Sequence, residues 1–354
     1  MTSRSRRATY VLAALATVGV AVTGLPAVAA ASTTEIDPGG FTPSSVAVDP
    51  NTGSSFALDP SDGSITIIDT ASGTIEGELG GFTSRDYDEA FLAIDPVLGH
   101  IYTVGAREKW GARSYLIDVQ DQELGAGSLG RTFELANQAR PTAIAIDPFT
   151  NRAFVTTVQT SGPLEISRLM RIDGAYPADE TPAPVAITRL PNGVVVDSIA
   201  IDPLLRQVYL ANSAIGSVSV IDEVTGGYKS GDIAVGGRPK GLAVDTYTHE
   251  VFVADAARGT VHVIDGYTRA ATGSTIAVGG TPDEVDIDQL ADRLYVKQDP
   301  AEGGGSVGVY VSSTHAEVTK DLGLGPVGEV AVDHLTHTLV APRTSGSSIA
   351  VVRE

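Results

Sequence analysis

Cysteine is absent from all 354 residues, which removes disulfides, thiol nucleophiles, thiolate metal ligands and a lipoprotein attachment residue together. Tryptophan occurs once and methionine twice. Cations are scarce beside acids, 24 Lys and Arg against 43 Asp and Glu, and the resulting charge of −19 repels phosphate backbones and anionic headgroups. Nucleic acid is therefore not an expected partner. No Gly-Lys-Ser/Thr phosphate loop occurs, and no catalytic residue, metal ligand set or cofactor is assigned from the sequence. Without disulfides, stability has to come from a large apolar core, which a chain of this length can bury.

The first thirty residues have a different character. Arg4, Arg6 and Arg7 precede an almost wholly apolar stretch, 10–22, and small residues follow at Ala27, Ala29, Ala30 and Ala31. This order predicts a cleavable secretory signal over residues 1–31, cut near Ala29 or Ala31. A membrane anchor is the alternative, but the run is shorter than the roughly 20 residues a spanning helix needs, and Gly24 and Pro26 interrupt it. Two export routes stay open, because Ser5-Arg6-Arg7 suits twin-arginine export while Thr9 and Tyr10 do not. Processing takes away three arginines and no acid, leaving a charge of about −22 on the mature chain. The expected product is a secreted or envelope-associated monomer with no membrane span.

Self-similarity sets the expected architecture. A short apolar segment ending in aspartate recurs at Asp49, Asp95, Asp147, Asp202, Asp245, Asp288 and Asp333, with intervals of 46, 52, 55, 43, 43 and 45 residues. Each aspartate opens a turn, and a second strand follows with an aromatic near its start in six units: Phe56, Tyr102, Phe154, Tyr209, Phe252 and Tyr295. A third strand of the type VSVID and a fourth ending near Gly-Gly-x-Pro complete the unit. Seven units of four short strands predict an all-β fold, a seven-bladed β-propeller forming a single domain over residues 32–354. The last unit supplies only three strands, and the segment 33–43 aligns with the fourth strand at 274–282. An N-terminal strand is therefore expected to complete the last blade and close the ring.

The runs VYLANSAIGSVSVID (208–222) and VFVADAARGTVHVID (251–265), with the Gly-Gly-x-Pro entry, resemble the YVTN/YncE-like propeller family over essentially the whole mature chain. That resemblance implies a propeller whose innermost strands run from a ligand-bearing top face to the bottom. It leaves function open, since such proteins include surface-layer and periplasmic propellers, with lactonases and streptogramin lyases as related enzymes.

The seven aspartates read as turn formers, because a short acid accepts hydrogen bonds from its own backbone two residues on. On the implied topology His100, His249, His334, His337 and His315 fall in bottom turns and His262 within a third strand. They are expected to be solvated and badly placed for a top-face metal-assisted elimination. The top face is better furnished: the enlarged loop GAREKWGAR (105–113) carries Arg107, Lys109, Trp110 and Arg113, and the entries to units two and three add Arg85, Tyr87 and Arg140. A second group, Arg238, Lys240, Asp255, Arg258 and Lys297, is expected across the ring. The first set is the expected ligand rim, suited to an anionic glycan, an envelope polymer or a protein; a solvated loop is the structural alternative. The leading expectation is a non-enzymatic recognition propeller. A lactonase-like or lyase-like enzyme and a structural envelope protein are the alternatives.

Overall fold

A computed structural model of the chain describes residues 32–43, 45–80, 90–109, 112–122, 130–161, 164–175, 178–299, 306–344 and 346–353. Seven four-stranded antiparallel sheets follow one another along the chain, six of them with their strands in sequential order from the channel outward and the last with the N-terminal strand outermost. This is the seven-bladed β-propeller that the repeat implies. The ring closes as expected: Ser32–Ile36 pairs antiparallel with Ile349–Arg353 and forms the outer strand of the last blade. Glu35 fastens the seam through hydrogen bonds from Arg343 and from Ser348 Oγ at 2.9 Å. Burial alone would raise the Glu35 pKa, but the bonds from Arg343 and Ser348 and the charge of Arg343 outweigh it and hold the carboxyl below its ordinary value.

The recurring aspartate shapes every bottom turn. Its Oδ1 accepts the backbone N–H two residues on, as at Asn51, Val97, Phe149, Tyr247, Leu290 and Leu335, or three on, as at Leu205. The residue four positions after the aspartate turns left-handed in all seven units: Gly53, Gly99, Asn151, Arg206, His249, Asp292 and His337 have φ between 53° and 74°. Glycine meets this need without strain, and the others persist because the rest of the turn determines the backbone.

Within five blades the first two strands follow a large-against-small rule. The second-strand aromatics Phe56, Tyr102, Phe154, Tyr209 and Phe252 stand directly opposite Ala47, Ala93, Ala145, Ala200 and Ala243 on the innermost strands. All five aromatics are buried. Each contributes about 1.5–3 kcal/mol by leaving water. Blade six departs from the rule, with Asp286 opposite Tyr295.

Two blades are taller than the rest. The segment read as an enlarged loop is a hairpin extension: His100–Lys109 and Ala112–Asp121 are ten-residue strands in register from His100↔Asp121 to Lys109↔Ala112. Blade three repeats the device with Arg152–Ser161 and Leu164–Asp173, which sequence reading did not single out. The Pro-rich excursion after Asp173 folds back on blade two, where Ala178 N donates to Asp121 and Arg131 donates to the Thr181 carbonyl.

Candidate functional site

An innermost strand has one edge without a β-partner, so some of its N–H groups face the channel. Side chains of the preceding blade satisfy several of them. Ser45 Oγ accepts from Leu92 N at 3.0 Å and Ser198 Oγ from Leu242 N at 3.2 Å. Glu284 Oε1 accepts from Val330 N at 3.0 Å, and Asp286 Oδ2 from Val332 N at 2.9 Å. Glu329 continues the chain of contacts by accepting a hydrogen bond from the Ser45 hydroxyl. Serine is enough between blades one and two; between blades six and seven the same position is filled by acids.

Glu284 and Glu329 lie at the top mouth, in a cavity of about 560 Å³ lined by blades two to seven, whereas Asp286 lines a separate recess at the other end of the channel. Phe91, Thr142 and Ser198 line one part, and Lys240, Asp283, Glu284 and Glu329 face it from the other. Gly241 leaves room at this wall, because a Cβ there would lie 2.6 Å from Glu284 Cα. Lys297 Nζ sits 3.2 Å from Asp283 Oδ2 and 3.6 Å from Glu284 Oε2. Lys240 makes no ion pair among the described residues.

The channel walls surround these carboxyls, although the Glu284 side chain keeps 22% of its surface accessible. Burial raises the Glu284 pKa well above the usual range, the charge of Glu329 adds to this, and Lys297 opposes it. Glu329 is pushed up to about 7, again chiefly by burial. Asp286 is also raised to about 7 by burial, against two backbone hydrogen bonds that favour its charged form. The mouth thus offers a neutral acid to a hydroxyl or a carboxylate to an amine, according to pH.

Of the residues expected at a ligand rim, Arg85, Tyr87 and Trp110 lie outside the described residues. Arg107 and Lys109 belong to the distal part of the strand His100–Lys109, where Arg107 stands opposite Ser114, and Glu108 opposite Arg113. Arg107 and Arg113 therefore belong to alternate faces of the ladder. Arg113 is exposed, its guanidinium carbon 5.6 Å from the centre of the Tyr115 ring. Arg140 opens the innermost strand of blade three opposite Val158, two residues before the cavity-lining Thr142.

The group expected across the ring divides. Buried Asp255 ties its own loops, accepting from Arg238 N at 2.8 Å, Ala257 N at 3.0 Å and Arg258 Nη1 at 3.1 Å, and pairing with His262 Nε2 at 3.1 Å. Gly237 is required beside it, because a Cβ there would lie 2.0 Å from Asp255 Oδ2. Lys240 and Lys297 alone reach the cavity.

His262 lies within the strand Thr260–Asp265, and the histidines expected in bottom turns are not all solvated. His249 is buried, with Nδ1 2.6 Å from Asp202 Oδ2, and His100 is buried with Nε2 3.2 Å from Asp121 Oδ1. His337 Nδ1 lies 2.8 Å from Asp288 Oδ2. The reason is the shared turn geometry: at His249 and His337 the left-handed residue reaches the turn aspartate of the preceding blade. Among the described residues no group of three His, Asp or Glu side chains is arranged to hold a metal ion. Residues 304–308 have Gly-x-Ser-x-Gly spacing, but Ser306 opens the strand Ser306–Val311 rather than a strand-to-helix turn.

Sequence reasoning missed Glu284, Asp286 and Glu329, and a signal for them was present. Two residues before the closing aspartate, six units carry alanine and unit six carries Asp286; four before it, units six and seven alone carry glutamate. No helix among the described residues is long and apolar enough to cross a membrane. No protein-family model matches the chain, and no curated protein matches it.

Proposed function

We propose that this protein is an exported, non-enzymatic recognition propeller of the YVTN/YncE-like kind, which binds an envelope polymer through its top face. One observation carries the reading: a ligand-sized cavity at the top mouth gathers Lys240, Asp283, Glu284 and Glu329 from three blades, with a raised hairpin on blade two beside it. Carboxyls there suit the hydroxyl and amino groups of sugar units, and Lys240 suits a carboxylate. Arg85, Tyr87, Arg107, Lys109, Trp110, Arg113 and Arg140 are proposed to extend the grip along the polymer, where an indole offers a flat surface for a sugar ring. The sequence supports export through its leader.

Calorimetric titration with soluble envelope polysaccharide fractions tests this. Lys240→Ala and Glu284→Gln should each weaken binding by about tenfold or more, the loss expected when a charge-assisted hydrogen bond worth roughly 1.5–3 kcal/mol is removed. Unchanged affinity in both variants removes the cavity from the proposal. Absence of binding by the wild type would favour a structural envelope role.

A second reading has its own support. Glu284 and Glu329 interact and both have raised pKa values, the property an acid–base pair needs near neutral pH. A lactonase-like or lyase-like activity would use them. Turnover of a lactone or cyclic depsipeptide that is lost in Glu329→Gln, with folding intact, would establish this reading over the first.

A further inference from the structure

The bottom face carries a ring of apolar side chains that the fold does not require. The second residue after the turn aspartate is Val97, Phe149, Leu204, Tyr247, Leu290 or Leu335 in six blades, and all six are exposed. Blade one holds Asn51 at the same place with the same hydrogen bond from its N–H to the aspartate, so a polar residue serves this backbone equally well. Six exposed large apolar residues around one opening amount to several hundred Å², on the order of the largest patches that monomeric proteins expose, which are often functional.

The ring surrounds a recess. A cavity of about 450 Å³ opens at the bottom mouth, with Phe149, Tyr247 and Leu290 at its rim and Ile146, Ile201, Val244, Ile287 and Val332 in its walls. Leu242 contributes to this recess and to the top cavity, and so stands between the two. The titratable side chains lining it are Asp286 and His334, together with the Tyr247 phenol. Both Asp286 oxygens already accept backbone N–H groups, from Ile287 at 2.8 Å and Val332 at 2.9 Å. Little there is suited to holding a charged ligand.

We propose that the bottom mouth is a second ligand site, which takes an uncharged aromatic group of one or two rings seated between Phe149 and Tyr247. The volume falls in the range of small-molecule pockets, about 300–1,000 Å³. Phe149 and Tyr247 are 71% and 69% exposed, so their faces and edges are available for ring contacts. A second copy of the chain fits less well: two rings of apolar residues meeting face to face would enclose two recesses and fill neither. An anionic membrane surface is disfavoured by the net charge of −19.

The probe is N-phenyl-1-naphthylamine, uncharged at neutral pH and bright when it leaves water. Saturable binding to the wild type is expected, weakened about tenfold or more in Phe149→Ser/Tyr247→Ser, where tenfold corresponds to about 1.4 kcal/mol. The double variant should melt like the wild type because both side chains are exposed. Leu164→Ser/Val185→Ser, which removes exposed apolar residues away from the recess, should leave probe affinity unchanged. The proposal fails if the wild type shows no saturable binding or if the two double variants behave alike. It also fails if the ring instead drives concentration-dependent dimerisation or vesicle binding that Phe149→Ser/Tyr247→Ser abolishes.

Discussion

Asp286 occupies a place that alanine holds in the other six blades, and its carboxyl is raised to about 7 by burial. Its ordinary value is 3.8, so between roughly pH 4 and 7 the folded state holds a proton that the unfolded chain has released. Stability from this group is complete at low pH and is lost as pH rises toward 7. Glu329 acts with the same sign. Buried His100 acts oppositely: burial lowers its pKa against the pull of Asp121, so its contribution is present at neutral pH and falls away as pH drops below 6.5. Asp286→Ala should therefore be more stable than wild type at pH 8, with a shallower decline between pH 5 and 8. Thermal melts at the two pH values check this, and an equally steep decline would mean that Asp286 is charged throughout. His249 gives a separate test. Replacing it with Ala strips Asp202 Oδ2 of its contact at 2.6 Å and should cost about 1–3 kcal/mol of stability. Binding at the top mouth should not change, since His249 lies in a bottom turn. A binding defect in a folded His249→Ala protein would overturn that separation.

At the scale of the element, the closing strand has most to lose. Ser32–Ile36 supplies the outer edge of the last blade, and Arg353 reaches from the neighbouring strand to Thr34 Oγ1 at 3.1 Å and to the Thr70 carbonyl of blade one at 2.9 Å. Deleting 33–40 opens that sheet edge and breaks the Glu35 seam. A marked fall in melting temperature or new self-association in sedimentation is expected; an unaltered melting curve with a monomeric profile would contradict it. The raised hairpin of blade two makes a different claim. Its two strands run to ten residues each, longer than those of an ordinary blade, so changes at its distal end should affect ligand and not fold. Trp110→Ala, and separately Arg107→Ala with Arg113→Ala, should weaken polymer binding while melting stays near wild type. Because Arg107 and Arg113 belong to alternate faces of the ladder, single replacements should differ in effect if the polymer lies along one face. Lost stability without a binding defect would assign Trp110 to packing.

For the whole molecule, stability and recognition draw on different forces. The blades hold together through apolar clusters between neighbouring sheets, such as Phe252, Val263, Val285 and Tyr310. Salt barely touches such contacts. Rim and mouth contacts to a charged polymer are exposed to solvent, and a Debye length near 10 Å at 0.1 M, falling to about 3 Å at 1 M, screens them. Polymer affinity should accordingly drop as salt rises, while the melting temperature holds or increases slightly. If both fell together, the charges would be acting on the fold. Binding of an uncharged probe at the bottom mouth should persist in high salt, which separates the two mouths.

The sequence by itself determined the blade count, the four strands of each unit, the turn aspartates and the closing strand. All of these repeat, and each follows from local chemistry: alternation for strands, an acid to form the turn, glycine where φ is positive. Residues that break the repeat could be seen as departures, yet their meaning depended on which blade they face. Glu284 and Glu329 became part of one site, and Asp286 a brace below it, only when the ring brought blades six and seven together around a channel and left amides of the innermost strand for Glu284 and Asp286 to satisfy. The blade-two tip was recognisable from its length and its Trp110, but its register had to be built before Arg107 and Arg113 could be told apart. Six apolar turn residues spaced by about a repeat look ordinary one at a time. Closure of the ring gathers them on one face and sets Phe149, Tyr247 and Leu290 at the rim of one recess, because a radial fold sets the same position of every blade side by side.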